Sequence, residues 1–463
     1  PIEIKEYVKD SKKYVMMPAN AIGKHVVVEK RTAQIVADAD ANPESVFNKI
    51  EMRDTKLGII TAGASYQYVR DAVPNASVLK LGLVWPLAEN TIKEFASKVD
   101  RLVVVEELDP FLETEIKALG VNCEGKELFT LLGEYTARLI RKRLTDEPVP
   151  KSAFNVTDLP LPPGRPPVLC AGCPHKGLFL ALHRLGVNVM GDIGCYTLGA
   201  LPPMQAVDAV ICMGASVGMA HGVDKATDGA DSRNTVGVIG DSTFLHSGIT
   251  NLMNAVYNQS SMTLIILDNS ITGMTGHQQN PTTGKNLKGD PASAVDLEAL
   301  CHAIGIKRVR VADPYHLQEM EQAILEELAV DEPSVIISRR PCALLKYVKH
   351  NAPLHVDTEQ CKGCKMCLKL GCPAISMKNG KASIDHAKCV GCGRCIAICP
   401  RDAIVSAFDS SSENLGRKIS EYAKAVIKVT ENGSVEIRPA EGVENRGIGI
   451  VFYVGAEIEP EAY

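Results

Sequence analysis

The sequence predicts an α/β protein with two parallel-sheet domains followed by a small cysteine-organised module. Three observations predict it. Apolar runs of strand length alternate with helix-like stretches in two blocks, the pattern of parallel sheets covered by helices. Gly-rich turns follow several of those runs, and open α/β sheets bind ligands beyond the carboxyl ends of their strands. Eight of the 15 cysteines in the 463 residues lie between Cys361 and Cys399.

Composition bounds the possibilities. At 45% apolar and 23% charged residues the chain has an ordinary globular balance, and its length suits about three domains. A net charge of −5 gives a polyanion little to hold, so no nucleic-acid or anionic membrane partner is expected. The longest stretch free of Asp, Glu, Lys and Arg, Ser242 to Leu267, is rich in Asn, Ser, Thr and His and does not read as a membrane span. The chain opens PIEIKEYVKD with no basic-then-apolar leader, so the cysteines are expected to be cytoplasmic thiols, most of them metal ligands. A start at Pro1 without Met suggests that a segment precedes it.

Residues 1–56 are charged and weakly patterned and read as a linker or the remnant of an upstream domain. Residues 57–150 form the first block. GIITAG precedes helix-like YQYVRDAV, VLKLGLVW precedes NTIKEFASKV, and LVVVEE precedes FLETEIKALG. LPLPPGRPPV at 159–168 reads as a linker. The second block, 151–350, has strand candidates VNVMGD at 187, VDAVICMG at 207, TVGVIGDS at 235, MTLIILDN at 262, RVRVAD at 308 and SVIISR at 334. Residues 354–405 are the cysteine module. In the tail, 406–463, helix-like LGRKISEYAKAVI precedes strand-like KVTENGSVEIRP and GIVFYVG, without a functional reading.

The module carries Cys361-x2-Cys364-x2-Cys367-x4-Cys372-Pro373 and Cys389-x2-Cys392-x2-Cys395-x3-Cys399-Pro400. Two-cluster ferredoxins use such a run twice, the fourth cysteine of each run serving the other cluster. The expected ligand sets are therefore Cys361, Cys364, Cys367 and Cys399 for one 4Fe-4S cluster, and Cys389, Cys392, Cys395 and Cys372 for the second. Zinc knuckles or disulfides do not explain two triplets each followed by Cys-Pro. The extra residue before Cys372 predicts a bulged loop.

Gly240-Asp241-Ser242 ends one strand candidate and Asp268-Asn269 the next, with Asp241 and Asn269 one strand-helix-strand unit apart. Carboxylate, amide and backbone carbonyl oxygens suit a Mg²⁺–diphosphate. The loops GDST and ITGMTG offer small residues and free N–H groups to phosphate oxygens, and a helix start after GDST adds partial positive charge.

CAGCPHKG, GDIGCYTLG, CMGASVGMAHG, GDSTFLHSG and LDNSITGMTGHQQNPTTG together resemble the diphosphate-binding domain of the thiamine-dependent 2-oxoacid:ferredoxin oxidoreductases. The resemblance runs over about residues 57–405 and is greatest to the large subunits of the indolepyruvate-using branch. It implies a transketolase C-terminal-like fold for the first block and a thiamine diphosphate-binding fold for the second. It implies Mg²⁺ on Asp241, Asn269 and the Ile271 carbonyl, with Gly240, Ser242, Thr243, Gly273, Met274, Thr275 and Gly276 close to the cofactor. Pyruvate-using relatives have Asn at Met274, so methionine favours a larger, aryl side chain on the substrate.

The same resemblance implies a third 4Fe-4S cluster beside the thiamine, on Cys170, Cys173, Cys195 and Cys342. Cys123, Cys212 and Cys301 are left as small core residues. His175 and His277 are candidates for proton handling or substrate carboxylate binding. The implied reaction is oxidative decarboxylation of a 2-oxoacid to an acyl-CoA, with electrons leaving through the clusters to ferredoxin in an anaerobic host. The alternatives are pyruvate or 2-oxoglutarate as substrate, or an electron-transfer protein without thiamine chemistry. A smaller second subunit and a heterotetramer are implied as well. In the family a glutamate on a separate pyrimidine-binding domain activates the thiamine. No such domain is recognised in these residues, so the chain alone is expected to show little turnover.

Overall fold

The computed structural model describes residues 5–43, 47–146 and 164–406, and the backbone of two strands at 425–429 and 435–439. The chain divides into two compact units, Pro1–Pro162 and Pro163–Tyr463. Part of the expected linker, 159–163, lies outside the described residues.

The first unit holds a four-stranded sheet of β1 (Lys49–Glu51), β2 (Asp54–Ala62), β3 (Ala76–Leu81) and β4 (Leu102–Val105), in the order β1-β3-β2-β4. β2 pairs parallel with β3 and β4, and β1 runs antiparallel to β3. The sheet therefore starts before Leu57, because β1 closes its edge. The stretch read as a linker also contains the 24-residue helix Pro18–Ala41, which buries no residue of its own and begins with proline at its first position. Successive strand residues point to opposite faces: Ile59, Val78 and Val103 enter one core, Ile60, Leu79 and Val104 the other.

The second unit is built on five parallel strands, β5 (Asn188–Met190), β6 (Thr235–Gly240), β7 (Thr263–Asp268), β8 (Arg308–Ala312) and β9 (Ser334–Arg339), in the order β5-β6-β7-β9-β8. β6 and β7 are buried at every position, as strands covered on both faces must be. Val236, Val238, Ile265, Leu267 and Ile336 pack on the helices His175–Leu185 and Leu317–Leu328. Ile239, Leu264, Ile266, Val335 and Ile337 pack on the other side, with Val217, Leu252 and Leu297. Each such side chain, fully buried, stabilises the fold by about 1.5–3 kcal/mol.

The strand expected at 207 does not form. It meets the sheet through a bridge between Ala209 and Met190 and a backbone bond from the Asp208 N–H to the Val189 carbonyl at 3.0 Å. The Asp208 carboxylate accepts from the Val189 N–H (2.6 Å), holding the segment beside β5, and the chain then runs into solvent with Ile211 71% exposed. Cys212 is consequently exposed rather than a core residue, whereas Cys123 and Cys301 are buried.

The cysteine module belongs to this second unit. β10 (His355–Val356) pairs antiparallel with β13 (Ile404–Val405), and β11 (Ile375–Lys378) with β12 (Lys381–Ile384). Its core is small, and Cys361, Cys367 and Cys395 make up part of it alongside Leu180 of the helix His175–Leu185. That helix is buried from His175 to Leu182 because the sheet covers one side and the module the other. Where the first cysteine run has its extra residue, the chain makes a single tight turn, Met366–Leu370, that ends on Gly371 at φ +60°. A left-handed residue there is inexpensive only as glycine.

In the tail, β14 (Ala425–Val429) and β15 (Val435–Pro439) form an antiparallel pair. The last residues of the expected helix, Ala425–Ile427, are thus strand, in keeping with the β-branched Val426, Ile427 and Val429. The remainder of that helix reading, and GIVFYVG, lie outside the described residues.

Candidate functional site

Beyond the carboxyl ends of β6 and β7 lies an open crevice with an internal volume of about 100 Å³. Gly240, Asp241, Ser242 and Thr243 form one wall, Asn269, Ile271, Gly273, Met274 and Thr275 the other, with His175, Cys195 and Tyr196 at its base and side. The strands put these residues together because Gly240 and Leu267 are paired neighbours in the sheet. From Asp241 the chain is helical to Tyr257, through one π-helical turn at Phe244–Gly248. Its first N–H groups therefore point into the crevice end.

Asp241 is 3% exposed. Its Oδ1 accepts from the Ser242 N–H at 2.7 Å, while Oδ2 is buried without a hydrogen-bond partner. Burial pushes its carboxyl up to about 7, and the neighbouring Asp268 adds to the rise. A buried carboxylate oxygen with no donor is costly unless a cation meets it. Asp268 itself is turned away, paired with Arg339 at 2.8 Å. The Asn269 amide Nδ2 lies 3.3 Å from His175 Nε2, and its Oδ1 accepts from the Ile271 N–H. His175 is buried, and desolvation, with Arg394 adding, pushes its pKa down to about 4, so its ring is neutral at physiological pH. Its ring meets that of Tyr196 edge-on at 5.9 Å.

Two predicted site residues fall outside this set. Gly276 and His277 do not line the crevice; His277 is exposed, at φ +61°, on the loop that Thr272 and Gln278 close by a backbone bridge. Sequence reasoning also passed over Asp192, which is fully buried. Its carboxylate accepts from the N–H groups of Ile193 (2.8 Å), Gly214 (2.9 Å) and Ser216 (3.1 Å), tying the loop before Cys195 to the loop carrying Met213. The GDIG motif was its available signal: a carboxylate just after a strand and before a glycine-rich turn.

The cysteines fall into three groups. Burial pushes Cys173 up to about 12 and raises Cys195 too, and Cys170 and Cys342 add to both rises. Cys342 is placed by its N–H, which donates to the Asn269 carbonyl at 2.9 Å. Cys195 also lines the crevice, so this group and the crevice share a wall. Cys367 is surrounded by Cys399, Cys361 and Cys364, which line one small cavity with it. Cys395 is surrounded by Cys392, Cys372 and Cys389. No His, Cys, Asp or Glu group among the described residues is gathered for a single metal ion. The thiolates of an iron–sulfur cube stand on its corners, farther apart than ligands around one ion.

Comparison with known proteins decides the family. Residues 192–338 match the thiamine pyrophosphate enzyme C-terminal TPP-binding domain, and residues 354–400 the 4Fe-4S dicluster domain. The chain is 36% identical over 449 residues to "Indolepyruvate oxidoreductase subunit IorA" of Pyrococcus horikoshii, covering 86% of this chain and 69% of that one. The chain belongs to the indolepyruvate oxidoreductase IorA family. Its likeness to the IorA of Archaeoglobus fulgidus is 37% identity over 421 residues, covering 84% of this chain and 66% of that one. A "2-oxoglutarate synthase subunit KorB" of the same organism is 27% identical over 211 residues, 40% of this chain and 77% of that one. As a member of the IorA family the chain is a subunit of a thiamine-diphosphate-dependent oxidoreductase that moves electrons through iron–sulfur clusters. No helix among the described residues is long and apolar enough to cross a membrane.

Proposed function

We propose that this chain catalyses oxidative decarboxylation of an aryl 2-oxoacid, of the indolepyruvate type, in a cytoplasmic complex with a smaller subunit. The substrate loses carbon dioxide, its acyl group passes to the thiol of coenzyme A, and two electrons leave singly to two ferredoxins with release of one proton. The observation that carries this reading is the shared wall: Cys195 faces the crevice of Asp241 and Asn269 and belongs to a thiol group adjoining the ferredoxin-like module.

The crevice fits thiamine diphosphate with Mg²⁺, because the unpartnered Oδ2 of Asp241 has the charge and burial a cation requires. Asp241, the Asn269 side chain and the Ile271 carbonyl would hold the cation. The N–H groups opening the helical segment at Asp241 would face the diphosphate. When bound, thiamine diphosphate supplies the carbon nucleophile and the electron sink for decarboxylation. His175, neutral and against Asn269, orients that amide and can exchange a proton within the pocket. Met274 gives an adaptable apolar surface to an aromatic substrate. Three 4Fe-4S clusters would occupy the groups Cys170/Cys173/Cys195/Cys342, Cys372/Cys389/Cys392/Cys395 and Cys361/Cys364/Cys367/Cys399.

The test is coenzyme-A-dependent ferredoxin reduction by the anaerobic complex, with indolepyruvate, phenylpyruvate, pyruvate and 2-oxoglutarate in parallel. Arylpyruvates are expected to be the efficient substrates, and Met274→Ala to raise their KM several-fold. Reduction driven only by pyruvate or 2-oxoglutarate overturns the substrate assignment. An iron count of about twelve per chain supports three cubanes, and about eight removes the one beside the crevice.

A further inference from the structure

Two cations are buried where the cysteine module packs on the domain that carries the crevice. Lys176 keeps 2% of its surface exposed and Arg394 6%. Lys176 Nζ donates to the Gly371 carbonyl at 2.8 Å, at the turn that absorbs the extra residue of the first cysteine run. Arg394 Nη1 and Nη2 have no hydrogen-bond partner. Its guanidinium lies 4.5 Å from the centre of the Tyr315 ring, which also carries Arg340 at 4.0 Å. Arg340 has a carboxylate, Asp313; neither Lys176 nor Arg394 makes an ion pair among the described residues.

The backbone makes room for this arrangement. A Cβ on Gly177 would sit 1.8 Å from the Pro314 carbonyl and 2.2 Å from Arg394 Nη2. A Cβ on Gly172, between Cys170 and Cys173, would sit 2.5 Å from Val390 of the module. The Tyr315 hydroxyl donates to the Gly172 carbonyl at 2.5 Å. The two cysteine-bearing loops are thus in direct contact, with the cations beside the seam.

An unpaired cation at such depth is among the costliest groups a fold can bury. Burial lowers the pKa of both cations, and ionised sulfurs acting as cluster ligands would oppose that fall: Cys372, Cys173 and Cys392 for Lys176, and Cys392 and Cys173 for Arg394. These cysteines lie on one side of the seam or the other.

We propose that Lys176 and Arg394 are fixed counter-cations of the electron path, set between the cluster of Cys170/Cys173/Cys195/Cys342 and that of Cys372/Cys389/Cys392/Cys395, where their charge raises the reduction potential of the latter, inner cluster. The inference rests on the ligand sets proposed above. A cubane with four thiolates is a net anion and gains one more negative charge when reduced. Fixed positive charge in a low-dielectric seam favours that reduced form. One electron leaves the cluster beside the crevice, which is oxidised, and enters the inner cluster, which is reduced. No proton need follow, because the compensating charge is already in place. Lys176 and Arg394 are positioning residues, acting on the clusters through charge.

The test is an EPR-monitored redox titration of the iron-loaded protein, as wild type and as Lys176→Gln, Lys176→Arg, Arg394→Gln and Arg394→Lys. The Gln variants are expected to lower the inner cluster's midpoint by about a tenfold loss in its reduction equilibrium, ~59 mV for a one-electron couple. The Arg and Lys exchanges should hold it near the wild-type value, and the outer cluster's midpoint should not move. An unmoved inner midpoint in the Gln variants overturns the proposal, as does an equal fall in the charge-keeping variants. If the Gln variants lose about four irons that the charge-keeping variants retain, charge is holding the cluster and the proposal stands. Loss in all four overturns it. Wild type without clusters overturns the ligand sets and the proposal together, and the iron count distinguishes that case.

Discussion

Eight cysteines of the ferredoxin-like module come from one short stretch, Cys361 to Cys399, whereas the four thiols beside the crevice come from a loop at Cys170–Cys173, the turn at Cys195 and the segment after β9 at Cys342. In the module, chain spacing does the positioning. Left-handed Gly363, Gly371, Gly391 and Gly393 let the backbone fold back, and little apolar core is available or needed. Beside the crevice, the sheet does the positioning. Cys342 is held by a hydrogen bond to the Asn269 carbonyl, and Cys195 by a loop anchored on buried Asp192. A site coded by spacing should fail locally when one ligand is lost. A site coded by the fold should fail when its supports are lost, even with every ligand intact.

The largest expected effect tests that difference directly. Cys372→Ser should remove about four irons and the signal of the inner cluster, although Cys372 belongs to the first run, and leave the outer cluster intact. Cys195→Ser should remove about four irons from the group beside the crevice and spare both module clusters. Iron analysis with EPR reads both, and loss of both module clusters in Cys372→Ser would break the crossed assignment.

Next comes a support. Asp192→Ala leaves the N–H groups of Ile193, Gly214 and Ser216 without their carboxylate, which should cost about 3 kcal/mol by urea denaturation. It should also weaken thiamine diphosphate binding while the module keeps its irons. Module irons lost in step with the crevice would make the two regions one cooperative site.

A smaller effect separates the seam from the open loops. Gly172→Ala meets Val390 at φ +70° and should cost about 2 kcal/mol; Gly393→Ala, at φ +74° with open space around it, about 1 kcal/mol. Equal losses in thermal denaturation would mean that backbone strain alone decides both positions.

The smallest effect is a control in the first unit. Glu51 accepts from the Tyr66 hydroxyl and from Lys49 at 2.9 Å, and these bonds hold its carboxyl down at about 2. Its folded pKa lies below the unfolded one, so its contribution is complete above about pH 4.5 and is lost as pH falls through about 2. Glu51→Gln should cost about 1 kcal/mol at pH 7 and progressively less as pH falls to and below about 2, with no change in iron content.

Much of this was legible in the residues. The two alternating blocks and the two cysteine runs carry short-range signals: continuous apolar runs at β6 and β7, buried at every position, and ligand spacing that one turn can wrap. Asp241 and Asn269 were legible because adjacent parallel strands bring successive strand ends together. The segment at 207–214 misled because an apolar run reads as strand wherever it lies, and only the neighbouring sheet decides whether an edge is free to take it. Cys212 went wrong with it, and β1 was missed because three residues carry no period.

The sequence by itself determined the α/β class, the ferredoxin-like ligand pattern and the strand ends of the crevice, because each depends on residues close in the chain or on adjacent strands. Only the tertiary structure decided that Asp241 keeps a buried oxygen unpartnered, that His277 lies outside the crevice, that Cys195 lines it, and that Lys176 and Arg394 are buried at the seam. Those facts depend on burial and on contacts between distant segments. A lysine or an arginine reads in sequence as a solvated charge, and it takes the closure of the module over the helix His175–Leu185 to remove the water from these two.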